Sequence, residues 1–112
     1  MTVYVVQQQM TFDKNLGELV PKFPGIFKAE RWGELVYLLS PTASPFNAAA
    51  ITRELKQKLA TFCDEDYIVL IGNPTLIGIA SAVAAQANNG RVKCLQWSAR
   101  QKEYAMIFFT IA

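Results

Sequence analysis

The chain has 112 residues, of which 52% are hydrophobic and 18% charged, with a formal net charge of +2. That length bounds it to a single domain, residues 1–112, and that composition excludes a disordered chain. A charge so close to zero argues against a polyanionic partner as the main business of the molecule. No run of 18 apolar residues is present, and the start Met1-Thr2-Val3-Tyr4-Val5-Val6 has no basic leader region, so a cytoplasmic protein without membrane contact is expected. With no histidine and only Cys63 and Cys94, neither a metal site nor a cofactor is implied, and both thiols are read as buried packing groups.

In chain order, residues 3–7 (Val-Tyr-Val-Val-Gln) are β-branched and aromatic and predict a first strand. Residues 8–33 resist division. Pro21, Pro24 and Gly25 break any long element, whereas Phe12, Phe23, Phe27 and Trp32 are too many aromatics for a solvated loop. The reading is a short helix around residues 27–32, with the segment folded over one sheet edge. Residues 34–40 (Glu-Leu-Val-Tyr-Leu-Leu-Ser) predict a second strand, apolar on both faces and therefore central. Ser44 can then accept an orphan amide while Pro45 takes the first helical position, so a helix starts there. It runs to about residue 62, because Ile51, Leu55, Leu59 and Phe62 recur at helical spacing while charged residues fill the other face. Asp64-Glu65-Asp66 lies beyond a helix carboxyl end, where negative charge is unfavourable, and is read as free in water.

Residues 67–97 form the clearest unit. An apolar strand (67–71) leads through Gly72-Asn73-Pro74 into a helix closed by Asn88-Asn89-Gly90, and residues 91–97 form the next strand. This second helix carries no charge at all. It is therefore either buried on two sides or joined to a partner chain, and Ile79, Ala82, Val83 and Gln86 are the candidate interface of an expected homodimer. Residues 104–111 are nearly all apolar and follow residues 91–97 closely enough to form a hairpin. Two strand–helix–strand units force parallel pairing with right-handed crossovers. The expected fold is α/β, a mixed and largely parallel sheet of about five strands with two main helices and a C-terminal hairpin.

In such sheets ligands bind at the carboxyl ends of the parallel strands. Those ends carry Ser40, Thr42 and Ser44, then Gly72, Asn73 and Thr75, then Trp97 and Arg100, with Gln7–Gln9 added if the first strand is also parallel. The set is polar, with one aromatic face and one cation, and suits a small anionic or nucleotide-like ligand. Neither phosphate-loop pattern is present. No catalytic residue is assigned, since the usual histidine base is missing and no activated nucleophile is apparent, so a non-enzymatic protein is favoured. Arg91, Lys93, Arg100 and Lys102 around the last hairpin, near Trp97 and Tyr104, are a faint nucleic-acid signal that a solvated hairpin explains as well.

The order Val3-Tyr4-Val5-Val6-Gln7, Tyr37-Leu38-Leu39-Ser40-Pro41, Ser44-Pro45-Phe46-Asn47, Ile71-Gly72-Asn73-Pro74 and Gly90-Arg91-Val92-Lys93 resembles small proteins of tailed bacteriophages. That resemblance implies a binder in the host cytoplasm that disables or redirects a host protein, or sequesters a defence signal. The layout Ile71-Gly72-Asn73, Ala80-Ser81 and Arg91 is also similar to viral proteins that bind cyclic oligonucleotides. Their histidine after the glycine is Asn73 here, a departure that counts against cleavage and leaves binding open.

Overall fold

Strand β1 (Thr2–Gln7) is the centre of the molecule because its alternate residues are apolar on both sides: Tyr4 and Val6 point one way, Val3 and Val5 the other, and all are buried. The computed structural model of the chain describes residues 1–111; Ala112, the last residue of the expected domain, lies outside them. The chain continues through β2 (Met10–Asp13), β3 (Glu18–Pro21), a 3₁₀ helix (Pro24–Trp32) and β4 (Glu34–Leu39). A short 3₁₀ turn leads into α1 (Ala48–Lys58), followed by β5 (Tyr67–Val69), α2 (Pro74–Ala87), β6 (Arg91–Ser98) and β7 (Glu103–Thr110). The main sheet has five strands in the order β4-β1-β5-β6-β7, parallel except for the final pair.

The expected sheet, its two main helices and its C-terminal hairpin are therefore present. Their faces follow from the connections. Helices α1 and α2 cover one face, burying Leu55, Leu59 and Leu76 against Leu38, Ile68 and Val92. The 3₁₀ helix covers the other, placing Ile26 and Ala29 over Val3, Val5, Val69 and Leu95. The step from β1 to β4 runs opposite to the steps onward to β5 and β6, and it crosses on the opposite face, as right-handed crossovers require. Each fully buried Leu or Ile in these layers contributes about 1.5–3 kcal/mol of apolar transfer.

Residues 34–40, expected as a central strand, form the edge strand β4, because β1 takes the place beside it and only Leu38 and Leu39 are buried. Four further expectations need correction. Residues 8–33 do not fold over a sheet edge. They form a separate two-stranded hairpin, β2 with β3, and then the 3₁₀ helix that closes the second face. The hairpin turn was signalled by Asp13, whose carboxylate accepts from the amides of Asn15 (2.8 Å) and Leu16 (3.2 Å), and by Gly17 at φ +68°. The second correction is Asp66, which is buried rather than free in water. Its carboxylate accepts from the amides of Thr2 and Cys63, both at 3.1 Å, and so ties β1 to the turn after α1. Asp64 is held too, accepting from Arg91 at 3.0 Å and Asn88 at 2.8 Å. Third, Cys94 is buried but Cys63 is exposed, because Leu59 and Phe62 take the inward positions of that turn.

The fourth correction concerns α2. Asn73 caps it, accepting from Thr75 N at 2.9 Å, and Asn89 ends it in the left-handed region at φ +55°. The helix packs on two sides, against the sheet and against α1, burying Leu76, Ala80, Val83, Ala84 and Ala85, and leaves an uncharged outer face at Thr75, Gly78, Ala82 and Gln86 exposed. Val83 is thus a core residue, and Ile79 is half-buried against the same core. Of the candidate interface only Ala82 and Gln86 are exposed.

Candidate functional site

Four parallel strands end on one edge of the sheet, so topology gathers the predicted residues there. A single side chain then links two of the loops that carry them. Gln7, at the end of β1, is 3% exposed and donates through Nε2 to the carbonyls of Ser40 (3.1 Å), Pro41 (3.4 Å) and Ala43 (3.3 Å). Its Oε1 accepts from Asn73 N at 2.9 Å and from Gln9 Nε2 at 3.1 Å. The amide thereby joins the loop after β4 to the loop after β5. It fills the crevice where the strand order reverses, the usual ligand position of doubly wound sheets.

Two clefts of larger size lie beside the loops so joined, and Gln7 itself lines neither. The smaller, about 440 Å³, is lined by Ser40, Thr42 and Ser44 together with Asn47, Glu54 and Lys58. Its polar groups largely serve one another: Ser40 Oγ and Thr42 Oγ1 lie 3.2 Å apart, Ser44 Oγ accepts from Phe46 N, and Lys58 pairs with Glu54 at 2.7 Å. The larger cleft, about 560 Å³, lies over the ends of β5 and β6 on the face closed by the 3₁₀ helix. Gly72 and Trp97 line it, with Phe23, Ile26, Ile71, Leu95 and Tyr104, and the polar groups of Gln9, Lys22 and Gln96. Asn73, Thr75 and Arg100 line neither cleft. Asn73 is occupied in capping, and Arg100 stands exposed at the tip of the β6–β7 hairpin. Sequence reasoning missed Gln7 as the link between the two loops and Phe23 as a cleft wall.

Trp97 walls the larger cleft. Its ring lies on Gly25, where a Cβ would come within 3.0 Å of it, and meets Tyr104 edge to face with centroids 5.1 Å apart. Lys28 Nζ sits 5.9 Å from the Trp97 ring and donates to the carbonyl of Lys102 at 2.8 Å, while Arg31 pairs with Glu103 at 3.2 Å. The 3₁₀ helix is thus clamped to the hairpin tip. The titratable side chains lining the cleft are Lys22 and Tyr104, and burial pushes the Tyr104 hydroxyl up, with the nearby Tyr37 adding to it. Such a lining is suited to holding a ligand by stacking and apolar contact, with one cation for orientation.

The four cations of the predicted nucleic-acid signal do not gather. Arg91 and Lys93 stand at the far end of β6 from the hairpin tip. Arg91 is engaged by Asp64, whose carboxyl its guanidinium and Asn88 hold below the usual range, and Lys93 sits 4.5 Å over the Tyr67 ring. Among the described residues no group of three or more His, Cys, Asp or Glu side chains is placed to hold a metal ion. No helix among them is long and apolar enough to cross a membrane.

Around the larger cleft, large apolar side chains are left exposed. Gln9 and Lys22, which join across the base of the β2–β3 hairpin at 2.9 Å, form one wall of the cleft. Beyond them the hairpin presents Phe12 and Leu19 as a cross-strand pair, 59% and 64% exposed, with Leu16 at its turn. Phe23 and Phe27 of the neighbouring segment are also exposed. In comparisons with known proteins, a family model described as Phage Pam3 gp32-like protein matches residues 1–111. No curated protein and no solved structure matches the chain.

Proposed function

The chain belongs to the phage Pam3 gp32-like family, and from that premise we propose a phage-encoded, non-enzymatic binding protein that engages a host protein in the host cytoplasm. The observation that carries this reading is the exposed apolar side of the hairpin continuing into a cleft walled by Phe23 and Trp97. A chain on its own gains nothing by holding Phe12, Leu16 and Leu19 in water, whereas buried aromatic anchors carry most of the energy of protein interfaces. In this reading Phe12 and Leu19 form the outer contact, and the cleft takes an apolar side chain of the partner against Trp97, with Lys22 favouring an acidic neighbour.

A second reading, a small planar anionic ligand such as a nucleotide, is favoured by the Trp97 ring and the Lys22 cation lining the same cleft. One experiment separates the two. Tagged wild-type protein, a Phe12→Ser/Leu19→Ser variant and Trp97→Ala are each used for capture from host lysate, and retained proteins and small molecules are identified. Host-protein binding predicts one protein retained by the wild type and weakened on the order of 10-fold or more in both folded variants. Equal retention by all three counts against the reading. A retained nucleotide lost only with Trp97→Ala, without a protein, replaces it by the second.

A further inference from the structure

Among the described residues strand β7 ends the sheet and pairs with β6 alone, over eight regular registers from Ser98↔Glu103 to Arg91↔Thr110. It extends beyond both covering layers. Tyr104 is buried, but Met106, Ile107, Phe108 and Phe109 are 44%, 46%, 52% and 37% exposed. Met106 and Phe108 share the face of Leu95 and Lys93, whereas Ile107 and Phe109 share that of Cys94 and Val92, so the strand is apolar on both sides. Isolated edge strands of this kind are normally blunted by charge, proline or a bulge. The opposite edge is blunted in this way: β4 begins with Glu34, and Lys58 Nζ donates to the Leu38 carbonyl at 2.6 Å. Between Tyr104 and Ile111 no charge, proline or bulge is present.

We propose that β7 is a self-association edge: two copies pair it antiparallel about a two-fold axis perpendicular to the sheet, making one continuous ten-stranded sheet. The occupant is a second copy because the strand is complementary to itself. Ile111 N donates to Gly90 O, so, two residues per repeat, the amides of Phe109, Ile107 and Ala105 also turn toward β6, and those of Met106 and Phe108 turn outward. With Ile107 facing its own copy on the axis, the outward amide of Met106 donates to the Phe108 carbonyl of the other chain, and the Phe108 amide to its Met106 carbonyl. Ala105 then lies opposite Phe109, small against large on the helix-covered face, while Met106 packs against Phe108 on the other. No like charges are brought together. The half-exposed side chains and strand edge of one copy amount to roughly 500 Å², or on the order of 1,000 Å² for two, the size a specific interface requires. Because the axis is perpendicular to the sheet, both clefts beside Trp97 open on the same face, one at each end, and the dimer offers two equal sites to a repeated or dimeric target.

Sedimentation and amide exchange test this directly. The wild type is expected at twice the 12.5 kDa chain mass, with the Met106 and Phe108 amides exchanging as slowly as those of Ile107 and Phe109. Ile107→Lys, a charge on the axis, should give the monomer with unchanged circular dichroism and fast exchange at Met106 and Phe108. In a Cys63→Ser/Cys94→Ala background, which also removes the thiol paired with position 107 across β6, Ile107→Cys should cross-link to its copy on mild oxidation, since facing residues at such a position bring Cβ atoms to about 5 Å. A wild type that stays monomeric at tens of micromolar overturns the proposal, whatever else comes to cover β7. So does a dimer in which Met106 and Phe108 exchange fast, which would place the interface elsewhere. If Ile107→Lys does not fold, the wild-type exchange pattern alone decides.

Discussion

Gly72→Val should be the most damaging single substitution outside the hydrophobic layers, lowering the unfolding free energy by roughly 3–5 kcal/mol. Gly72 has φ +134°, a conformation that L side chains rarely adopt, and a Cβ there would lie 2.6 Å from Gln7 Cβ and 2.9 Å from Gln7 Oε1. Backbone strain and overpacking each cost about 1–3 kcal/mol, and the neighbour that must yield is a buried atom of the central strand rather than a mobile side-chain end. For a domain whose whole stability is about 5–15 kcal/mol, that is a large share. Urea denaturation measures it, and a second substitution identifies the cause. Gln7→Ala keeps the clashing Cβ and should not rescue Gly72→Ala, whereas Gln7→Gly removes that atom and should recover on the order of 1–2 kcal/mol of the coupling. Equal rescue by both would show that the damage lies in the polar contacts instead.

The pair of Gly72 and Gln7 shows where the sequence was legible. The strand–turn–helix signal of Gly72-Asn73-Pro74 located α2 and its cap because capping is a local interaction, decided within three residues. The same holds for Ile51, Leu55, Leu59 and Phe62, whose spacing marked the buried side of the first helical segment. Gln7 was visible only as a polar residue ending a strand. Its partners in the two loops lie 33 to 66 positions away, and nothing local marks one glutamine as a bridge between them. Asp66 was misread for the same reason, since its partner Thr2 is 64 positions distant. The β7 strand was legible as apolar but not as uncovered, because exposure depends on how far α2 and the 3₁₀ helix reach across the sheet. The uncharged α2 drew attention as an interface on composition alone. The larger exposed apolar groups lie instead on β7 and on the β2–β3 hairpin, where the surrounding layers stop.

Replacing Gln7 tests whether the crevice of the sheet is closed by design of its hydrogen bonds. Gln7→Ala should cost about 2–4 kcal/mol, because it leaves the Asn73 amide and the Ser40 carbonyl without their partner in a site from which water is largely excluded. Exchange of the Asn73 amide should quicken with it. Gln7→Glu makes the sharper test, since it keeps the shape and exchanges the donor for a second acceptor facing the carbonyls of Ser40, Pro41 and Ala43. The ionised form is repelled there and the buried site disfavours its charge, so the folded state should hold the proton more tightly than the unfolded chain does. A pKa raised on folding gives stability that is present below the unfolded value and is lost as pH rises through the folded one. The Glu variant should therefore approach wild-type stability under acid conditions, where its hydroxyl donates to one of the carbonyls, and weaken toward neutral pH. Gln7→Ala should show no such slope relative to the wild type. A Glu variant whose deficit against the wild type is independent of pH would mean that Gln7 fills space there, and that the two loops are held together by packing rather than by a directed amide.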